Sequence, residues 1–251
     1  MDEGARVPGA LDEAYGARYA DLYARHWWWR AREEVVVAEV ARIAREWGGG
    51  RRSILDVGCG DGLIFPRLAS FGDVEGVEPD ERLVTGGADR AIHTVPFEEF
   101  APSKRYALIL MLDVLEHLPD PEAALDRCRA LLEPDGRLLL TVPAFEVLWT
   151  THDELNHHFT RYRRSTLGAV VGGAGLRLDR ARYFFHWVAA AKIGVRVLEA
   201  LGRKDTSVPA VPPDPVNRAL YALSRAESRV VGPLRLPFGS SLLAVCSGTR
   251  S

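Results

Sequence analysis

The sequence predicts a doubly wound α/β fold with a mostly parallel sheet of seven strands, and two observations support this prediction. Short apolar segments alternate with helical patterns along most of the chain, and one of them, residues 106–112, is apolar throughout. A continuous apolar run is typical of a central parallel strand that helices cover on both faces. A glycine-rich turn follows the first segment, where sheets of this kind bind nucleotides.

The predicted elements begin with a helical pattern over residues 11–47, because apolar positions there recur at intervals of three and four. Strands that alternate with helices imply right-handed crossovers between parallel strands. The seven predicted strands are residues 53–57, 74–77, 91–95, 106–112, 137–142, 176–185 and 241–246. The later helices are predicted at residues 63–70, 121–132, 165–171, 187–201 and 214–230.

Length and composition indicate one soluble globular domain. We expect a single domain over residues 1–251, with an N-terminal helical lid (1–50), a cofactor-binding core (51–143) and a substrate-side part (144–251) that holds a second lid, the C-terminal helices and the final strands. Apolar residues make up 47% and charged residues 26% of the chain, which excludes disordered and disulfide-scaffold classes. The formal net charge of −2 argues against a nucleic-acid partner.

The sequence shows no recognisable localisation signal. The longest apolar run, residues 106–112, is far shorter than the roughly 18 to 20 residues that a transmembrane helix needs. The N-terminus has no basic segment followed by an apolar one, so no secretory signal is expected. The three cysteines have neither disulfide-scaffold nor metal-ligand spacing. We therefore expect a cytoplasmic protein.

The turn after the first predicted strand carries the most informative motif. It spells DVGCGDG at residues 56–62, and Glu78 lies at the end of the second predicted strand, twenty residues beyond Gly58. Glycines allow the backbone to turn sharply and a ligand to lie close against it. An acidic residue at the position of Glu78 is placed to accept hydrogen bonds from both hydroxyls of a ribose.

Charge decides between two cofactors that use this geometry. A dinucleotide site follows G-x-G-x-x-G and presents a helix N-terminus to a pyrophosphate. Here the spacing is G-x-G-x-G, and Asp56 and Asp61 place two carboxylates where a pyrophosphate would bind. A positively charged sulfonium ligand would gain from these carboxylates. The pattern therefore favours S-adenosylmethionine over NAD.

Four linked motifs resemble those of the class I S-adenosylmethionine-dependent methyltransferases. They are ILDVGCGDG at 54–62, VEGVEPD at 74–80, LMLDVLEHLPDP at 110–121 and GRLLLTVPA at 136–144. The segment HWWW at 26–29 and the segment HDELNHHFTRY at 152–162 are similar to a bacterial subgroup related to the ubiquinone-type O-methyltransferases. The resemblance covers most of the chain and fades after about residue 190.

The resemblance implies a set of residues that bind the cofactor S-adenosylmethionine, from which S-adenosylhomocysteine is the product. It implies that Glu78 holds the ribose hydroxyls, that Asp56 orients the amino-acid end, and that Arg32 pairs with the cofactor carboxylate. The glycines shape the turn beneath the cofactor, and the end of the fourth strand lines its methionine side. The full implied set is Arg32, Asp56, Gly58, Gly60, Glu78, Leu112 and Asp113.

A histidine-rich segment after the fifth predicted strand is the candidate for catalysis. Methyl transfer to a neutral hydroxyl requires a group that removes a proton, and histidine titrates in the right range. We expect His152 or His157 to be this base, oriented by Asp153. The same residues together with His158 could instead stabilise the lid or ligate a metal ion, but no metal is expected because no H-E-x-x-H pattern is present.

The two C-terminal helices are amphipathic, and residues 180–235 carry ten Lys and Arg against four Asp and Glu. This asymmetry predicts either contact with an anionic membrane surface or packing within a monomer or homodimer. The predicted function is methyl transfer from S-adenosylmethionine to a small-molecule acceptor, with O-methylation of a hydrophobic or lipid-linked compound favoured. The alternatives are C- or N-methylation of a natural product, an NAD-dependent oxidoreductase, and a binding module without turnover.

Overall fold

The computed structural model describes residues 19–85, 90–202 and 210–249. One mixed sheet runs through these residues, and its strands match all seven predicted positions. The strands are β1 (Arg52–Val57), β2 (Gly72–Val77), β3 (Ile92–His93), β4 (Tyr106–Leu112), β5 (Leu132–Pro143), β6 (Leu176–Phe184) and β7 (Ser241–Gly248).

The strand order across the sheet is β3-β2-β1-β4-β5-β7-β6. The first five strands are parallel to one another, whereas β7 lies antiparallel between β5 and β6. Leu110 of β4 pairs with Asp56 of β1 on one side and with Leu139 of β5 on the other. The predicted doubly wound, mostly parallel sheet of seven strands is thus confirmed, and β1 and β4 form its centre.

Helices pack on both faces of the sheet. The long pattern predicted over 11–47 breaks at His26, whose Nδ1 accepts a hydrogen bond from the Trp28 amide at 3.1 Å and so caps a new helix. The part of that pattern before residue 19 lies outside the described residues. The α-helices are α1 (Tyr19–Arg25), α2 (Trp27–Ala44), α3 (Phe65–Leu68), α4 (Pro121–Leu131), α5 (Thr151–Leu155), α6 (Arg164–Gly173), α7 (His186–Ala200) and α8 (Asp214–Val230).

The core has two layers, one on each face of the sheet. Successive side chains of a strand point to opposite faces, so Ile109 and Met111 of β4 belong to one layer and Leu108 and Leu110 to the other. The first layer is completed by side chains of α4 and α6, and the second by side chains of α2. This explains why residues 106–112 are apolar at every position.

None of the helices in residues 19–85, 90–202 and 210–249 is both long enough and apolar enough to cross a lipid bilayer.

Gly58 is the residue at which the chain leaves β1, and its backbone there requires glycine. Its φ is +71°, in the left-handed region, and a Cβ atom would lie 2.5 Å from Cγ2 of Val114. The Gly58 amide donates a 2.8 Å hydrogen bond to the carbonyl of Val77, which ties the turn to the end of β2. The glycine turn is therefore held at the edge of the sheet where β1, β2 and β4 end.

Gly58→Ala is expected to lower the free energy of unfolding by about 3 kcal/mol, because it combines left-handed strain with a clash. The matched control is Gly172→Ala, since Gly172 lies in α6 and a Cβ atom added there would have no heavy atom within 4 Å. That change should be neutral or stabilise by about 0.5 kcal/mol. Urea unfolding monitored by circular dichroism checks both values, and equal losses for the two variants would contradict the steric argument.

Candidate active site

A cavity of about 640 Å³ lies at the carboxyl ends of β1, β2 and β4. Its walls come from these strand ends and from α2, α5 and α7. Ligands of doubly wound folds bind at this edge of the sheet, and the volume falls within the roughly 300 to 1,000 Å³ of ligand sites. Six of the seven residues that the sequence implied for the cofactor line it: Arg32, Gly58, Gly60, Glu78, Leu112 and Asp113.

Glu78 is held against the glycine turn by two backbone amides. Its Oε2 accepts from the Gly60 amide at 2.9 Å, and its Oε1 accepts from the Asp80 amide at 3.0 Å. Burial raises the pKa of Glu78, whereas the two amides oppose this rise by hydrogen bonding to the charged form. The carboxylate is thus fixed in place at the end of β2 and faces the cavity.

Asp56 lies buried beneath the cavity rather than in its wall. It is 3% exposed, and burial raises its pKa to about 7. The positive charge of Arg32 counteracts this rise, and the negative charge of Glu78 adds to it. The carboxyl group of Asp56 therefore titrates near neutrality, which makes its charge sensitive to any cation that binds nearby.

A buried network joins α2 to the ends of β4 and β5. Nε of Arg32 lies 2.6 Å from Oδ2 of Asp113, and Nη2 of Arg32 donates to Oγ1 of Thr141 at 3.2 Å. The Thr141 hydroxyl in turn donates to Oδ1 of Asp113 at 3.1 Å. Asp113 has a φ of +55°, an uncommon conformation for a residue with a side chain. The network holds this strained residue in the cavity wall.

An aromatic wall closes the cavity on the side of α2. Trp27, Trp28 and Trp29 all contribute to it, and Trp27 packs against Trp187 of α7 with ring centroids 5.0 Å apart. Asn217 of α8 anchors the wall, because its Oδ1 accepts from the Trp27 amide and its Nδ2 donates to the Arg25 carbonyl, both at 2.8 Å. No local pattern pointed to Asn217, which lies almost two hundred residues from its partners.

The polar end of the cavity is organised by Asp153, which is fully buried. Its Oδ1 lies 2.8 Å from Nδ1 of His158 and accepts from Nε of Arg161 at 2.8 Å. Burial would raise the pKa of Asp153, but the His158 hydrogen bond and the charges of Lys192 and Arg161 together hold this pKa well below its usual range. Asp153 is therefore an ionised acceptor, and the histidine that it orients is His158.

The two histidines that the sequence predicted as the base, His152 and His157, do not contact Asp153 in the predicted way. His157 has a φ of +54° and an exposed side chain, and it is not part of the cavity wall. His152 lines the cavity, but burial and the charge of Lys192 lower its pKa to about 4. Asp153 orients neither of them. Burial also lowers the pKa of Lys192 to about 8, and this amine faces the same cavity.

One cluster in the described residues could hold a metal ion. Potential ligand atoms of Glu116, His117 and His158 lie within 4.8 Å of one another. Glu116 is 1% exposed, and burial together with the charge of Asp113 raises its pKa well above the usual range. The sequence predicted no metal and offered His152, Asp153, His157 and His158 as possible ligands. It missed Glu116 and His117, because they lie some forty residues before His158.

The cavity fits S-adenosylmethionine. The absence of side chains at Gly58 and Gly60 leaves room against the backbone, and Glu78 presents a fixed acceptor for ribose hydroxyls. The buried acidic groups Asp56, Glu78 and Glu116 all have raised pKa values, so a cation in their vicinity would relieve an electrostatic cost. A sulfonium ligand meets that requirement, whereas a pyrophosphate does not.

Comparison with known proteins agrees with this assignment. A family model described as a methyltransferase domain matches residues 28–181, more than half of the chain. The ubiquinone biosynthesis O-methyltransferase of Bordetella avium is 26% identical over 235 residues, which covers 85% of this chain and 89% of that protein.

Solved structures share the fold at low sequence identity. A chain in the complex between the Haloferax volcanii Trm112 methyltransferase activator and a methyltransferase superposes with a TM-score of 0.61, at 17% identity, over 98% of this chain and 99% of that chain. The magnesium protoporphyrin IX methyltransferase of Synechocystis with bound S-adenosylhomocysteine has a TM-score of 0.54 at 17% identity and covers 67% of this chain and 87% of that chain.

Fold and cavity together define an S-adenosylmethionine-dependent methyltransferase of the class I, Rossmann-like type. The chain belongs to the methyltransferase-domain family whose model spans residues 28–181.

The pKa of Asp56 predicts how cofactor affinity depends on pH. Because this pKa is about 7 in the free protein, the group is largely protonated at pH 6 and ionised at pH 8. The sulfonium charge favours the ionised form, so S-adenosylmethionine should bind roughly fivefold to tenfold more weakly at pH 6 than at pH 8. S-adenosylhomocysteine lacks the sulfonium charge and should show a smaller change.

Calorimetric titration of both ligands at the two pH values measures this effect. An asparagine at this position cannot ionise. In Asp56→Asn, the affinities for S-adenosylmethionine and S-adenosylhomocysteine should therefore depend on pH in the same way. If this variant keeps the wild-type pH dependence for S-adenosylmethionine, another group is responsible.

Proposed function

We propose that this methyltransferase methylates a hydroxyl oxygen of a hydrophobic small-molecule acceptor, with His158 as the general base that Asp153 orients. The observation that carries the proposal is the 2.8 Å contact between the buried Asp153 carboxylate and Nδ1 of His158. His158 lines the same cavity as Gly60 and Glu78, so the base and the cofactor residues act on one enclosed volume.

The proposed cofactor roles follow from the geometry of the cavity. When bound, S-adenosylmethionine supplies a methyl group on a positively charged sulfur. Glu78 accepts hydrogen bonds from the ribose hydroxyls, and the carboxylates of Asp56 and Asp113 favour the positively charged end. Arg32 contacts both Asp113 and Thr141. We therefore assign it two roles: it holds Asp113 in place, and it contacts the carboxylate of the cofactor.

The proton transfer is assigned to Nε2 of His158. An ionised Asp153 accepts a hydrogen bond from Nδ1–H of His158, which leaves the Nε2 lone pair available to take a proton from the acceptor hydroxyl. Asp153 also stabilises the imidazolium that forms. His152 and His117 are poorer bases, because burial lowers the pKa of each to about 4.

Oxygen as the acceptor atom is supported by the relatives named as ubiquinone biosynthesis O-methyltransferases, at identities near 26%. A hydrophobic acceptor is supported by the wall of Trp27, Trp28 and Trp29, which presents aromatic surface to the cavity. A screen of methyl acceptors tests this assignment with apolar phenols that carry long alkyl chains, simple catechols, and amines of matched size. Methylation at carbon or nitrogen in that screen would instead assign C- or N-methylation of a natural product.

Exposed apolar side chains on the C-terminal helices α7 and α8 suggest contact with a membrane surface. α7 contributes Val188 and Lys192 to the cavity, so the helix that carries exposed apolar residues also forms a wall of the active site. We propose that these residues rest on an anionic lipid surface, with neighbouring arginines contacting headgroups. The large exposed apolar side chains of α7 and the residue that follows it are Ile193, Val195, Val197, Leu198 and Leu201, and those of α8 are Val216, Leu223 and Val230.

His158→Ala is expected to lower kcat by about a hundredfold, because the acceptor hydroxyl loses its base. Affinity for S-adenosylhomocysteine should stay unchanged, since the cofactor residues lie elsewhere in the cavity. The matched control is His157→Ala, an adjacent histidine with an exposed side chain, which should keep wild-type kcat. Methyl transfer from radiolabelled cofactor to an alkylated phenol measures both rates.

Two further measurements separate the roles open to His158. For a general base, the fall in kcat at acidic pH, measured with saturating S-adenosylmethionine, should disappear in His158→Ala, and the wild-type rate should not respond to EDTA. A rate that EDTA abolishes and Zn²⁺ restores would instead assign His158 to a metal site with Glu116 and His117. Equal activity of His158→Ala and wild type would refute both roles.

Vesicle binding tests the membrane surface. The protein should sediment with vesicles of phosphatidylglycerol and phosphatidylcholine, and Val197→Glu/Leu201→Glu should weaken this binding at least about tenfold. The control is Ala123→Glu/Ala130→Glu, which makes the same charge change on the exposed side of α4. Failure of the wild type to sediment would reject the proposal, and a dimer that the α7 variant dissociates would assign this face to a second copy of the chain.

A further inference from the structure

A second cavity, which we call the arginine cleft, lies at the edge strand β6 and has a volume of about 760 Å³. Its walls come from α2, the start of α6, β6 and the segment after α8, and it shares no lining residue with the active-site cavity. Six arginines line it: Arg42, Arg163, Arg164, Arg180, Arg182 and Arg235.

The acidic side chains in the cleft do not balance this charge. Glu39 and Asp179 are the carboxylates among its lining residues. Glu39 is engaged by Arg180 at 2.8 Å, and Asp179 is engaged by Arg177 at 2.7 Å. Six guanidiniums against two carboxylates leave an excess of four positive charges. A cleft lined by one sign of charge focuses the electric field and attracts ligands of the opposite charge.

Several of these arginines have no carboxylate partner among the residues that the structure describes. Within the described part of the chain, no carboxylate oxygen lies within 4.0 Å of the guanidinium of Arg42, Arg164 or Arg235. These three arginines line the same cleft as the other positive charges. Their donors are therefore available to a ligand.

Arg182 lines the cleft together with Arg42 and Arg235, whose positive charges act on it. The side chain of Arg182 is 24% exposed, and its nearest carboxylate contact is 4.0 Å from Glu39. Burial lowers the pKa of Arg182, and the charges of Arg42 and Arg235 lower it further, although Glu39 opposes them. Arg235 also has a φ of +49°, a strained conformation for a residue with a side chain. Strain and repulsion at one place are typical of a preformed site.

We infer that the arginine cleft binds an organic phosphate or diphosphate, with its anionic group on Arg42, Arg182 and Arg235. Guanidinium groups present planar pairs of donors that match phosphate oxygens, and a phosphate or diphosphate carries enough negative charge to offset the excess. The organic part has an apolar wall to contact, formed by Phe145, Leu178, Leu236, Pro237 and Leu243. This site is separate from the cofactor and acceptor cavity, so the inference does not depend on the proposed reaction.

The shared chemistry is a phosphate group, and two soluble probes distinguish its source. Inorganic pyrophosphate reports recognition of the anion alone, and dihexanoyl phosphatidic acid, used below its micellar concentration, reports a lipid-type ligand. Calorimetric titration should detect binding of at least one probe, and the affinity should fall as NaCl is raised from 50 to 300 mM. Tighter binding of the phosphatidic acid would assign the cleft to a lipid headgroup, and tighter binding of pyrophosphate to a free phosphate compound.

The variant Arg42→Gln/Arg235→Gln should weaken binding of the preferred probe at least about tenfold. Both arginines are exposed in the free protein, so the fold should not depend on them. The control is Arg25→Gln/Arg218→Gln, which removes the same charge from two exposed arginines outside the cleft. Affinity for S-adenosylhomocysteine and the thermal unfolding midpoint should match wild type in both variants. No binding of either probe, or equal binding by the cleft variant and wild type, would overturn the inference.

Discussion

The partly buried ion pair between Arg32 and Asp113 is the contact on which the active-site cavity depends. Arg32 belongs to the N-terminal helix α2, whereas Asp113 follows β4 and Thr141 lies near the end of β5. Removing either partner would leave the other charge without its ion pair in a partly buried place, so the helix and the strand ends are coupled. That coupling holds the tryptophan wall beside the sheet edge, where it forms one side of the active-site cavity.

Charge is distributed so that the two cavities suit opposite ligands. At the active site, burial raises the pKa values of Asp56, Glu78 and Glu116, and a positively charged ligand is favoured there. At the edge of the sheet, arginines outnumber carboxylates in the cleft. The near-neutral formal charge of −2 conceals this separation, because whole-chain charge says nothing about where the charges lie.

The polar end of the active site shows where sequence reasoning reached its limit. His157 and His158 are neighbours in a segment that the sequence marked as functional, and both have the right chemistry. The left-handed backbone at His157 leaves its side chain exposed, while His158 meets Asp153. A local pattern identifies such a segment, but the backbone conformation decides which histidine enters the cavity. Burial lowers the pKa of His152, which makes this histidine a poor candidate for the base.

The sequence by itself determined the seven strands, their mostly parallel sheet and the cofactor class, because apolar periodicity and the glycine turn with Glu78 are local signals. Six of the seven residues that it implied for the cofactor line the cavity. Tertiary structure alone decided that Asn217 anchors Trp27, that Glu116 and His117 approach His158, and that arginines from four segments share one cleft. These contacts join residues from tens to almost two hundred positions apart, and only the packing of helices on the sheet brings them within reach.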